Sequence, residues 1–237
     1  MKILSEKKLN IITAIILCVL AIGVAIVCFA PSKVVYISGG KAYEPIYYGD
    51  RSRETVSLAF NVYEGGEIVE GILNELNKRG AKATFFIGGC WADDNLNLVR
   101  QIIEDGHEIG SHGYYHKDHS KLNEEQNRVE MLLLHDLIKN ELGYDIKLFA
   151  PPSGAFSLDT LKVAENLGYK TIMWSKDTVD WRDKNQKVVY NRATKSVEGG
   201  DIILMHPKEH TLKALPDILE FYKQKGLAIV SVSECIG

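Results

Sequence analysis

The stretch ATFFIGGCWADDNLNLVRQIIEDGHEIGSH, residues 83–112, decides the fold: a short β-type run (83–88), an intervening segment, a glycine at 106 and a second β-type run (107–112). The unit recurs in both directions. VSLAF (56–60) precedes it, and KLFAPP (147–152), KTIMWS (170–175), DIILMH (201–206) and LAIVSVS (227–233) follow it. Between most of these runs apolar residues return at helical spacing, as Ile68, Ile72, Leu73 and Leu76 do, and again Leu132, Leu133, Leu137 and Leu142. Gly80, Gly106, Gly143, Gly168 and Gly226 fall where each helix would end, as C-capping glycines do. Repeated strand–helix alternation predicts a parallel sheet with helices outside it. About seven such units point to an α/β architecture of the distorted or incomplete (β/α)7-barrel type, with a doubly wound open sheet as the alternative. The sequence NVYEGGE after the first run is neither a dinucleotide fingerprint nor a P-loop, so no nucleotide cofactor is expected.

Composition bounds the partners. The chain has 237 residues, 46% hydrophobic and 25% charged, with a net charge of -3, so nothing favours nucleic acid. Residues 11–30, IITAIILCVLAIGVAIVCFA, carry no charge and are long enough to span a bilayer as a helix. Lys2, Lys7 and Lys8 precede them, which predicts a cytoplasmic tail over 1–10 and a domain outside the cell. The expectation is a single-pass membrane protein anchored through this N-terminal transmembrane helix, or a secreted one if the segment is cleaved as a signal peptide. Residues 31–55, with Pro31, Gly39, Gly40 and Pro45, read as a linker, and 56–237 as the working domain. Cys90 and Cys235 are the only cysteines beyond the apolar segment and form no disulfide framework.

The chemistry concentrates in GHEIGSHGYYHKDH, which holds four of the seven histidines: His107, His112, His116 and His119. His112 and His116, four apart, suit two imidazoles closing on one metal ion. His107 reads as a hydrogen-bonded core histidine, and Asp118 with His119 as a solvated loop, with a reserve role as metal ligands as the alternative. In a β/α barrel, functional groups come from the C-terminal ends of the strands. There the sequence puts Asn61 to Glu64, His112 and His116, then Pro151, Pro152 and Ser153, then Asp177, Asp180 and Trp181, and finally His206.

With these groups on one rim, residues 56–235 resemble the polysaccharide deacetylases, the NodB-homology carbohydrate esterases. GHEIGSHGYYH is similar to the family's metal-binding motif, WSKDTVDW to its Asp-x-x-Asp-Trp motif, LMH to the motif of the catalytic acid, and FAPPSGAF to its Arg-Pro-Pro-Tyr-Gly motif. The resemblance implies a divalent metal on His112 and His116, zinc foremost, with cobalt, nickel or manganese as the other candidates. It also implies an acid at His206 oriented by Asp180 or Asp177. Trp181, Pro151, Pro152 and Ser153 would line the substrate, an N-acetylated glycan of the cell wall or a related polysaccharide. Two departures stand out. The family's Thr-Phe-Asp-Asp-Gly motif becomes Ala59-Phe60-Asn61-Val62-Tyr63-Glu64-Gly65, so Asn61 stands in the place of the base and Tyr63 or Val62 in that of the third ligand. Ala150 stands where the resemblance expects the arginine that pairs with that base. Glu64, the one nearby carboxylate, becomes the expected third metal ligand. The reading favoured by the resemblance is a metal-dependent deacetylase slowed by the missing base. The alternative is a catalytically silent glycan-binding or scaffolding relative.

Overall fold

A computed structural model describes residues 13–19 and 35–237. Residues 36–237 form one compact unit, separate from residues 1–35. A two-stranded antiparallel hairpin, β1 (Tyr36–Ser38) and β2 (Lys41–Tyr43), leads into a parallel sheet. Its strands are β3 (Thr55–Val62), β4 (Thr84–Ile87), β5 (Glu108–Ser111), β6 (Leu148–Phe149), β7 (Lys170–Thr171), β8 (Lys176–Asp177), β9 (Ile202–Met205) and β10 (Ala228–Ile229). The order is β7-β6-β5-β4-β3-β9-β8, with β10 pairing with the first residues of β3, and every pairing is parallel. The edges β7 and β8 do not pair with each other, so the sheet is an open half-barrel wrapped by helices.

Two sequence expectations are corrected. Among the described residues no helix is long and apolar enough to cross a membrane. Of the apolar run, residues 13–19 are described, and they are helical. The expected transmembrane helix over 11–30 is therefore not found, and its remaining residues, like the tail over 1–10, lie outside the described residues. The expected linker over 31–55 is in large part structured. Beyond the hairpin, Ile46 bridges to Ile172 and Tyr48 to Asp201, and the amides of Gly49 and Asp50 donate to Gly200 and Cys235. Backbone groups engaged in this way belong to the folded unit.

Strand parity positions the site. Side chains alternate across a strand, and here one face meets the helices while the other meets the half-barrel interior. Val56, Leu58, Phe60 and Val62 of β3 join the main core with Val69, Ile72, Leu73 and Leu76 of the helix Gly66–Asn77. Ala59 joins a second cluster inside the sheet with Phe86, Leu148, Ala150, Ile172 and Ile202. Continuing the alternation to the strand ends brings Asn61, His112, Ala150 and His206 onto the same interior face. Gly110, between them on β5, has to be glycine: a Cβ there would lie 2.3 Å from the Phe86 ring.

Candidate functional site

The interior face ends in a cavity of about 310 Å³ lined by Asn61, Tyr63, His112, His116, Ser153, Trp174, Asp177, Trp181, Leu204 and His206. Six strand ends, or the loops that follow them, contribute to it, and the sequence motifs meet there. A larger groove of about 660 Å³, lined by Lys187, Tyr190, Glu220 and Phe221 among others, contains none of these residues.

His112 is buried, and its Nδ1 lies 2.7 Å from the Ala150 carbonyl oxygen. A carbonyl only accepts, so Nδ1 carries the hydrogen and Nε2 keeps its lone pair. Burial pushes the His112 pKa down to about 3, and the neighbouring His116 adds to the shift. The ring is therefore neutral at physiological pH. His116 has a left-handed backbone, φ 55°. Its ring lies 5.0 Å from that of His112 and 4.4 Å from that of Tyr63, and burial lowers its pKa too. Glu130, on the helix Glu124–Leu142, holds the loop that carries His116. Its carboxylate accepts the amides of Tyr114 and Tyr115 and pairs with Lys117 at 3.1 Å.

Asp180 is fully buried and accepts three hydrogen bonds at 2.7 Å, from the His206 amide, the His206 Nδ1–H and the Thr211 hydroxyl. Burial alone would raise the Asp180 pKa; the hydrogen bonds and charge of His206 outweigh it and hold the carboxyl below the usual range. His210 donates from Nε2 to the Asp180 carbonyl oxygen at 2.7 Å. His206 thus has a fixed ring with Nε2 turned to the cavity. Asp177 lines the cavity, but its Oδ1 accepts the Val179 amide at 2.7 Å. Of the two aspartates, only Asp180 orients His206.

The other expected residues divide. Trp181, 53% exposed, and Ser153 border the cavity, whereas Pro151 and Pro152 are buried in the turn behind it and do not line it. Glu64 does not line it either: its carboxylate pairs with Lys208. The loops carrying this pair are pressed together at Gly65, where φ is 81° and a Cβ would meet the Pro207 carbonyl at 2.9 Å. The expected third metal ligand is thus engaged elsewhere. His119 is not in a solvated loop but fully buried, its Nδ1 bonded to the side-chain Oδ1 of Asn127 at 2.7 Å. Sequence reasoning missed Thr211, His210, Asn127 and Glu130. The last two interrupt an otherwise apolar buried stripe, Met131, Leu134 and Ile138, and that interruption was the available signal.

The metal implied by the resemblance meets a poor donor set. A catalytic zinc takes three protein ligands. The cavity is lined by His112, His116, His206 and Asp177, but His206 is tied to Asp180 and Asp177 to the Val179 amide, which leaves two imidazoles, a neutral amide at Asn61 and a phenol ring at Tyr63 packed on His116. Among the described residues no group of three His, Cys, Asp or Glu side chains could hold a metal ion. The residues present do not fit a tightly held catalytic metal.

His107 is a core residue, accepting the Ala83 amide on Nδ1 at 3.2 Å. Burial, helped by Lys82, pushes its pKa down to about 4. Because the folded pKa lies below the unfolded one of about 6.5, the unfolded chain takes up the proton first. Its contribution is complete above pH ~6.5 and is lost as pH falls towards ~4, amounting to about 3 kcal/mol. His107→Asn, which keeps an acceptor for Ala83, is expected to flatten this part of the stability profile in urea titrations near pH ~7 and ~5; an unchanged slope would contradict the assignment.

A family model described as polysaccharide deacetylase matches residues 48–172. The uncharacterised protein YlxY of Bacillus subtilis (strain 168) is 37% identical over 191 residues, 81% of this chain and 60% of YlxY. The peptidoglycan-N-acetylmuramic acid deacetylase PdaA of the same organism is 31% identical over 198 residues, 81% of this chain and 75% of PdaA. Among solved structures, BA3943 of Bacillus anthracis, described as a CE4 family pseudoenzyme, superposes with a TM-score of 0.80 at 32% identity, covering 84% of this chain and 70% of that one. A mutant of BA3943 is described as having restored enzymatic activity.

Proposed function

The chain belongs to the polysaccharide deacetylase family, and from that premise we propose that it is a glycan-binding relative of the peptidoglycan deacetylases, one that holds an N-acetylated sugar in the His112–His206 cavity without appreciable release of acetate. One observation carries the reading: Glu64, the carboxylate nearest in sequence to the places of the missing base and third ligand, lies off the cavity and is paired with Lys208. Asn61 cannot take a proton at neutral pH, because an amide nitrogen is not basic. The likeness to a family member described as a pseudoenzyme supports the same conclusion. The wall in which such a glycan occurs lies outside the cytoplasmic membrane, and the domain would work there.

Within the cavity, Trp181 offers an exposed indole face for a sugar ring, and the buried imidazoles of His112 and His206 present hydrogen-bonding nitrogens. A second reading, slow hydrolysis, is favoured by the intact Asp180–His206 pair, which would suit an acid for a leaving amine. Acetate release and equilibrium binding measured on the same N-acetylglucosamine oligomers and peptidoglycan fragments separate the two. Saturable binding is expected, with turnover below that of an active relative by a general base's share, about 10²–10⁴-fold. Turnover matching an active deacetylase would refute the binding reading.

A further inference from the structure

The cavity wall is rich in hydrogen-bond acceptors and short of metal ligands. Nδ1 of His112 is committed to the Ala150 carbonyl and Nδ1 of His206 to Asp180, each at 2.7 Å. In the neutral His112 ring the remaining Nε2 is an acceptor, and Nε2 of His206 is that ring's one uncommitted hydrogen-bonding nitrogen. Among the described residues no group donates to either one, and both rings line the cavity beside the buried amide of Asn61. Acceptors in a low-dielectric recess are costly unless a donor meets them. An N-acetylated sugar carries the matching groups: an amide N–H and hydroxyls to donate, and a carbonyl oxygen to accept from the Asn61 amide. The cavity, about 310 Å³, lies at the small end of the ~300–1,000 Å³ range of ligand cavities, which suits one sugar unit of a chain. The Tyr63 ring, 4.4 Å from that of His116, crowds the side from which a second imidazole would join His112 on a cation.

We infer that the acetamido and hydroxyl groups of the sugar bond directly to His112 and His206 with no metal between them, so that a divalent cation competes with the glycan for His112 instead of recruiting it. This rests on the glycan-binding reading above and reverses the role a metal has in a metal-dependent deacetylase.

The test is a titration of the full chain with N-acetylglucosamine tetramer, followed by calorimetry or by the fluorescence of Trp174 and Trp181, which line the cavity. It is run in EDTA and again in excess zinc. Binding is expected to persist in EDTA and to weaken several-fold in zinc. His112→Ala is expected to weaken binding in EDTA by about tenfold, the usual worth of one hydrogen bond. Thermal unfolding checks that this variant folds; if it does not, the zinc comparison on the unaltered protein decides alone. Binding that requires zinc, or that zinc leaves unchanged, overturns the inference while the glycan-binding reading stands. No binding in either condition overturns both.

Discussion

Asp180→Ala is expected to cost about 3–5 kcal/mol of stability, the range for breaking a buried charged pair. For a domain of this size that corresponds to a fall in Tm of roughly 10 °C. The carboxylate has no contact with solvent and accepts from the His206 amide, the His206 ring and the Thr211 hydroxyl. Alanine leaves all three donors buried without an acceptor, and each orphaned donor costs about 1–3 kcal/mol before relaxation. Asp180→Asn keeps the shape and one acceptor oxygen but turns an NH₂ towards a donor, so about half the loss is expected. The pH dependence gives a second readout. The folded pKa of Asp180 is lowered, so its contribution is present above the unfolded carboxylate pKa of ~3.9 and is lost as pH falls through the folded value. The difference between wild type and variant should therefore shrink in acid. Denaturant unfolding at neutral pH checks the main effect, and a loss under ~1 kcal/mol, the scale of an exposed pair, would mean that the network is not a structural support.

Asn61→Asp combined with Tyr63→Asp is expected to convert the cavity into a metal-loaded hydrolase, with acetate release rising by about 10²–10⁴-fold, the usual contribution of a general base. Aspartate is nearly isosteric with Asn61 and needs no repacking at the end of β3. It would be buried with no arginine beside it, since residue 150 is alanine, so before metal loading burial should raise its pKa. Removing the Tyr63 ring uncovers His116 and places a carboxylate beside the two imidazoles, which completes a three-ligand set. The single variants separate the two effects. Tyr63→Asp alone should gain metal without much turnover, and Asn61→Asp alone should gain little of either. Metal content after dialysis and acetate release from N-acetylglucosamine oligomers are the measurements. A double variant that retains no metal would show that the His112–His116 geometry, and not the missing carboxylate, keeps the metal out.

The sequence made the parallel sheet legible because β-type runs and capping glycines alternate without interruption, and it made the rim legible because strand ends carry the polar groups. Parity did the rest: Asn61, His112, Ala150 and His206 all lie an even number of residues beyond interior-facing strand positions. Glu64 was not legible. An exposed loop carboxylate takes whichever cation the fold delivers, and Lys208, 144 residues away, comes through the close approach of two loops at Gly65. Thr211 and His210 were hidden for a similar reason, since their partner Asp180 is reached only when the helix Glu209–Gln224 packs against the strand ends. The apolar run over 11–30 was read from hydropathy alone, and among the described residues no helix long enough to cross a membrane answers it.

The tautomer of His112 is set by the main chain of residue 150, not by its side chain. Every amino acid brings the same carbonyl to that point. Substitutions at 150 can therefore change the charge and bulk of the cavity wall while the imidazole opposite stays in the same protonation geometry. The two properties are uncoupled, so a lineage could drift between arginine and alanine there, and between catalysis and recognition, without passing through a form in which His112 points its lone pair the wrong way.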